Sequence, residues 1–197
     1  MANRTNNSNG SLIFGAGNEI TNSIASISGA PTSGGDNPNE LRGAVKNAVK
    51  AANGGGATMV FGGGNKADYT LRTSMIGINN TVTGANGAES ADNLVMGVGN
   101  TGTNVQHLTA IGSKNTVSDA KNTVIVGDNR KVTGANNSVI IGSSDAETTT
   151  TVNDAVAIGH NTEVSKEGGV ALGSGSKATV AAGAVGYDIL TNAPSTD

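Results

Sequence analysis

The stretch from Thr109 to Tyr187 decides the fold. It reads TAIG (109–112), TVIVG (123–127), SVIIG (138–142), AVAIG (155–159), GVALG (169–173) and AVGYD (184–188), each a short run of small or β-branched residues around a glycine. The glycines are Gly112, Gly127, Gly142, Gly159, Gly173 and Gly186, so the steps are 15, 15, 17, 14 and 13 residues. A short run recurring at such a period, too brief to bury a face alone, predicts stacked coils. Upstream the register continues through Gly97 and Gly77 to Gly62, and a further unit, SLIFG, ends at Gly15.

Aligned on their glycines, the units give a cross-section. The residue before the glycine is always large and apolar: Phe14, Phe61, Ile76, Met96, Ile111, Val126, Ile141, Ile158 and Leu172. Three before it, apolar residues again prevail, with Ser74 and Thr109 dissenting. The position between varies from Ile125 and Ile140 to Ala110, Ala157 and Ala171. Because alternate strand residues point to opposite faces, the uniform positions are expected to pack tightly and the variable one to lie on the other face. Two residues after the glycine, Gly or Asn recurs (Gly17, Asn79, Gly99, Asn129), as a left-handed turn requires. Five after it, Ile20, Ala67, Val82, Val117, Val132 and Val164 predict a second strand pointing into a narrow interior. Asn18, Asn65, Asn80, Asn100 and Asn115 stand three after the glycine. They fit either a hydrogen-bonded ladder between coils or turn propensity alone.

Composition agrees. Thirty glycines, two phenylalanines, two tyrosines and no tryptophan in 197 residues do not build an aromatic-filled core, so the fold class is an all-β solenoid of 14–15-residue coils. So thin a stack exposes much surface, which predicts self-association. A net charge of −3 gives no footprint for nucleic acid. Absence of cysteine excludes disulfides and thiolate metal sites. No apolar run reaches the length of a membrane-spanning helix, and the leader MANRTNNSNG lacks a signal-peptide core.

The expected organisation is a flexible leader (1–10), a coil domain (11–187) with an insertion (26–57), and a connector (188–197). Within the insertion, Leu41, Ala44, Val45, Ala48, Val49 and Ala52 follow helical spacing. Asn37 suits the cap, Pro38 the first turn, Glu40 the capping box and Gly54 the stop, predicting one α-helix near residues 38–53. It is expected to lie against the coils. Arg42, Lys46 and Lys50 recur on successive turns and form a basic line, either a solvated face or a contact for an acidic partner. The lengthened coils at 83–93 and 148–151 lie where repeat arrays either gather binding residues or simply tolerate insertions.

Units such as NSVIIGSS, DAVAIGHNTEV and GGVALGSGSKA resemble the head repeats of trimeric autotransporter adhesins, the YadA-like left-handed parallel β-roll. The resemblance spans most of Ser11 to Asp188 apart from the inserted helix, and AVGYDILTNAPST resembles the connector ending such heads. It implies a homotrimer held away from a bacterial outer membrane by a stalk and a C-terminal anchor, neither present in this chain, without direct membrane contact from this part. The expected role is attachment to a host-cell receptor, an extracellular-matrix protein or a partner bacterium. On this view the variable strand face, with Ile125, Ile140, Ala157 and Ala171, is the expected trimer interface, and Arg42, Lys46 and Lys50 are the candidate partner-binding residues. The departures are asparagine where such heads often carry alanine or serine, and the inserted helix.

Enzyme classes find little support. Hexapeptide acyltransferases need three hexapeptides per coil and a histidine base, whereas His107 and His160 fall in turns. No nucleophile and base pair, phosphate loop or zinc pair is found. GGGNKAD (62–68) occurs once, so neither calcium nor any other cofactor is expected. An ice-binding or purely structural surface solenoid is the nearest rival, but threonines such as Thr81, Thr116 and Thr162 look scattered among Asn, Ser and charged residues.

Overall fold

A computed structural model of the chain describes residues 2–29, 31, 37–181 and 185–194. Two long parallel sheets run side by side. The larger has nine strands, from Leu12–Ala16 and Met59–Gly63 through Thr109–Ser113 to Val170–Leu172. The smaller has eight, from Arg4–Asn6 and Glu19–Thr21 to Thr148–Thr150. Each turn of chain lays one strand on each sheet, so the repeat glycines fall opposite one another: Gly62 on Gly77, Gly77 on Gly97, Gly97 on Gly112. A short third side is marked by Thr70–Leu71 and Ser90–Ala91, continued by bridges through Gln106 and Lys121.

The glycine is dictated by this stacking. Gly97 has φ 127°, and a β-carbon on it would lie 1.8 Å from the carbonyl oxygen of Gly112 on the next coil. The left-handed turn two residues later also forms, for example at Asn79 (φ 56°) and Gly99 (φ 66°).

The asparagines form a ladder. The Nδ2 groups of Asn18, Asn65, Asn80, Asn100 and Asn115 each donate to Oδ1 of the asparagine one coil upstream, Asn18 to Asn3, at 3.0–3.2 Å. They also donate to the carbonyls of Gly62, Gly77, Gly97, Gly112 and Gly127 at 2.7–2.9 Å. All five are buried. At the next step Arg130 replaces asparagine. Its guanidinium donates to the carbonyls of Gly142, Gly159 and Thr162 and to the Thr162 hydroxyl. One buried cation thus serves the glycine carbonyls of two coils where no asparagine follows, and burial pushes its pKa down.

The facing of the larger sheet corrects the expectation. The variable residues point inward: Ile125 is 0% exposed, Ile140 and Ala157 1% and Ala171 2%. With Val60, Met75, Val82, Val117 and Val132 they form the core. The uniform positions on either side of them point outward. The reason is size compensation in a narrow interior. At Gly102, on the smaller sheet, a β-carbon would sit 3.1 Å from Val105 and 3.5 Å from Leu108, so where the third side supplies the bulk the position facing it is small. Variation in bulk therefore marks the crowded side.

Two boundaries also move. Arg4–Asn6, within the expected flexible leader, pairs in parallel with Glu19–Thr21. Among the described residues the last parallel pairings are those of Val170–Leu172 and Lys177–Ala178. Of the expected Gly186 unit, Ala184 lies outside the described residues, and Tyr187–Asp188 pairs antiparallel with Ala193–Pro194 instead of joining either long sheet.

Candidate functional site

The outward face of the nine-stranded sheet carries an unbroken column of large apolar side chains before the glycines and a second column interrupted by Ser74 and Thr109. Phe14 (71% exposed) and Leu172 (70%) stand at its ends, and Met59, Phe61, Ile76, Val126 and Ile141 are 36–40% exposed between them. The Phe14 and Phe61 rings meet at a 37° tilt, 6.2 Å between centroids. Eight inter-strand steps at about 4.8 Å make the stripe roughly 38 Å long. Exposed apolar surface of this extent is of the kind that interaction sites bury. Ile125, Ile140, Ala157 and Ala171, expected at an interface, lie within the single chain's core and face no partner. The sequence did hold the signal: every residue before the glycine is large, and no crowded interior would accept nine such residues in file.

The helix α1 spans Pro38–Ala51. Asn37 caps it through Oδ1, accepting from the amides of Asn39 and Glu40. No bond from Glu40 back to the Asn37 amide is present among the described residues, so the capping box is half made. Packing is slighter than expected: Ala48 is the one buried residue of the helix, while Val45 and Val49 are about two-fifths exposed. Arg42, Lys46 and Lys50 are all exposed, and none forms an ion pair among the described residues. The structure does not bring this basic line together with the apolar stripe into one site.

Elsewhere the polar surface is organised coil on coil. Arg72 donates to both oxygens of Asp92 (2.6 and 3.0 Å), and this pairing, the main cause, holds the Asp92 carboxyl below its usual range. His107 and His160 occupy exposed turns, the latter 3.1 Å from Asp145. Hydrogen bonds from Asn161 and then His160 hold the Asp145 carboxyl low. The excursion 83–93 folds into a tight hairpin closed between Ala85 and Ala88, and beside it lies an open groove of about 300 Å³ lined by Glu89, Asn104, Gln106, Asp119 and Lys121. Among the described residues no three His, Asp or Glu side chains cluster as metal ligands. No helix among them is long and apolar enough to cross a membrane. Comparison with known proteins found no matching family model, curated protein or solved structure.

Proposed function

We propose that this chain is the head of a trimeric bacterial surface adhesin, a left-handed parallel β-roll that binds its target through a repeated surface and performs no chemistry. The observation that supports the reading is the column of outward apolar residues from Phe14 to Leu172. Water contact along a stripe this long is unfavourable, and a shared axis buries all three copies' stripes together. This replaces the interface expected at Ile125, Ile140, Ala157 and Ala171 with the opposite face of the same strands.

Three copies present each binding surface three times, so modest contacts gain avidity against clustered targets on a host cell, in extracellular matrix or on another bacterium. The exposed line Arg42, Lys46 and Lys50 is the candidate contact for an acidic target. The experiment is a binding array of the assembled protein against matrix proteins, epithelial monolayers and partner bacteria. Saturable binding to one class supports the reading, and binding to none of them contradicts it.

A further inference from the structure

The threonines that look scattered in the sequence are gathered by the fold. Their coils are separated by unequal steps, but register pairs Thr81 with Thr101 and Thr101 with Thr116 in one column, and Thr83 with Thr103 and Thr103 with Ser118 in the next. The columns continue through Lys131 and Thr133 to Thr149, with Thr151 following. Over five successive strands the ten outward positions are therefore eight threonines, one serine and one lysine. The residues between them, Val82, Gly102, Val117, Val132 and Thr150, are buried, which fixes the facing.

The grid is regular and stiff. Strands lie about 4.8 Å apart and alternate residues about 6.7 Å apart along each strand. Threonine is β-branched with restricted χ1, so each of the eight threonines presents a hydroxyl and a methyl in set positions. Neighbours are coupled, Thr83 to Thr103 and Ser118 to Thr133 at 3.4 Å between hydroxyl oxygens. The asparagine ladder runs along the adjoining corner, through Asn80, Asn100 and Asn115 just before Thr81, Thr101 and Thr116, and is the kind of side-chain ladder that keeps a sheet from twisting.

What such a face can bind follows from what it lacks. It has no aromatic or arginine anchor of the sort that concentrates protein binding energy. Its one cation, Lys131, is 3.4 Å from Glu147, so no charge track suits a polyanion. The remaining fit is to a partner that is itself a flat periodic lattice of hydrogen-bond donors and acceptors. We propose that the outer face of the eight-stranded sheet, from Thr81 to Thr151, binds ice. This goes beyond the adhesive reading and involves the other sheet.

The test uses the whole chain. Thermal hysteresis, crystal shape and partition into a growing ice fraction are measured for the wild type, Lys131→Thr and the double variant Thr103→Lys/Thr116→Lys. Expected are faceted crystals and ice enrichment for the wild type, a larger hysteresis for Lys131→Thr, which completes the grid, and loss of enrichment to the level of a non-binding protein for the double variant with an unchanged melting profile. Absence of hysteresis and enrichment in both the wild type and Lys131→Thr overturns the proposal. So does activity that survives the double substitution, or binding to crystalline chitin or cellulose without any effect on ice.

Discussion

Asn80→Ala removes the middle rung of the ladder. Asn80 is 0% exposed, and its side chain donates to Asn65 Oδ1 and the Gly97 carbonyl while accepting from the Asn100 amide and side chain. Asn65 Oδ1 keeps a donor in the Asn80 backbone amide, and the Asn100 side chain keeps the Gly112 carbonyl. Two groups lose the partner the ladder gave them, the Gly97 carbonyl and the Asn100 N–H. Leaving a buried polar group unsatisfied costs about 1–3 kcal/mol, so the variant should lose roughly 2–6 kcal/mol, a large share of a typical total of about 5–15 kcal/mol. At about 2–4 °C per kcal/mol for a chain of this size, the melting midpoint should fall by roughly 4–24 °C. Asn3→Ala, at the exposed end of the ladder, should cost less, and Thr81→Ala on the outer surface should stay within about 0.5 kcal/mol. The assay is thermal and urea unfolding followed by circular dichroism at one fixed protein concentration, so that any assembly contributes equally. An Asn80→Ala midpoint equal to that of Thr81→Ala would refute the buried ladder as a source of stability.

Adjacent residues should respond oppositely to charge: Ile141→Asp should keep the coil spectrum but prevent assembly, whereas Ile140→Asp should unfold the chain, on the order of 4 kcal/mol, by burying an unpaired carboxylate. Replacing Arg42, Lys46 and Lys50 together with Glu should weaken binding to an acidic target and reduce its salt sensitivity, with circular dichroism unchanged; equal binding by wild type and triple variant would leave the line a solvated face. Because the folded pKa of Asp92 is depressed, its contribution is present above the ordinary carboxylate range and is lost as pH falls through the lowered value. Arg72→Gln should therefore be slightly less stable than wild type near neutral pH, by under about 1 kcal/mol for so exposed a pair, with the gap closing in acid. EDTA should leave the melting curve unshifted; a large fall in the midpoint would point to a structural metal.

The stack was legible because its determinants are local and repeated: a glycine that no side chain can replace, a left-handed turn two residues on, and one inward residue five on. The helix was legible too, since Asn37 and Pro38 are start signals that need no tertiary contact. The facing was not. Both faces of the larger sheet are apolar, so alternation carried no sign, and Ile140 and Ile141 differ only in what surrounds them. Asparagine carried two meanings, since the residue type that favours an exposed turn also ladders through a buried corner. Arg130 gave no warning, because a cation among carbonyls two coils away has no local pattern. The threonine grid was hidden for a different reason: steps of unequal length between Thr81, Thr101, Thr116 and Thr149 break the period in sequence, and only strand register restores it.

The apolar stripe on the nine-stranded sheet is central to the account, and its mass in solution tests it most directly. Multi-angle light scattering at low micromolar concentration should give one species near three times the chain mass of 19.3 kDa. A single species at 19.3 kDa would mean that Phe14, Phe61, Ile141 and Leu172 stand in water unpartnered, and would contradict the trimeric head.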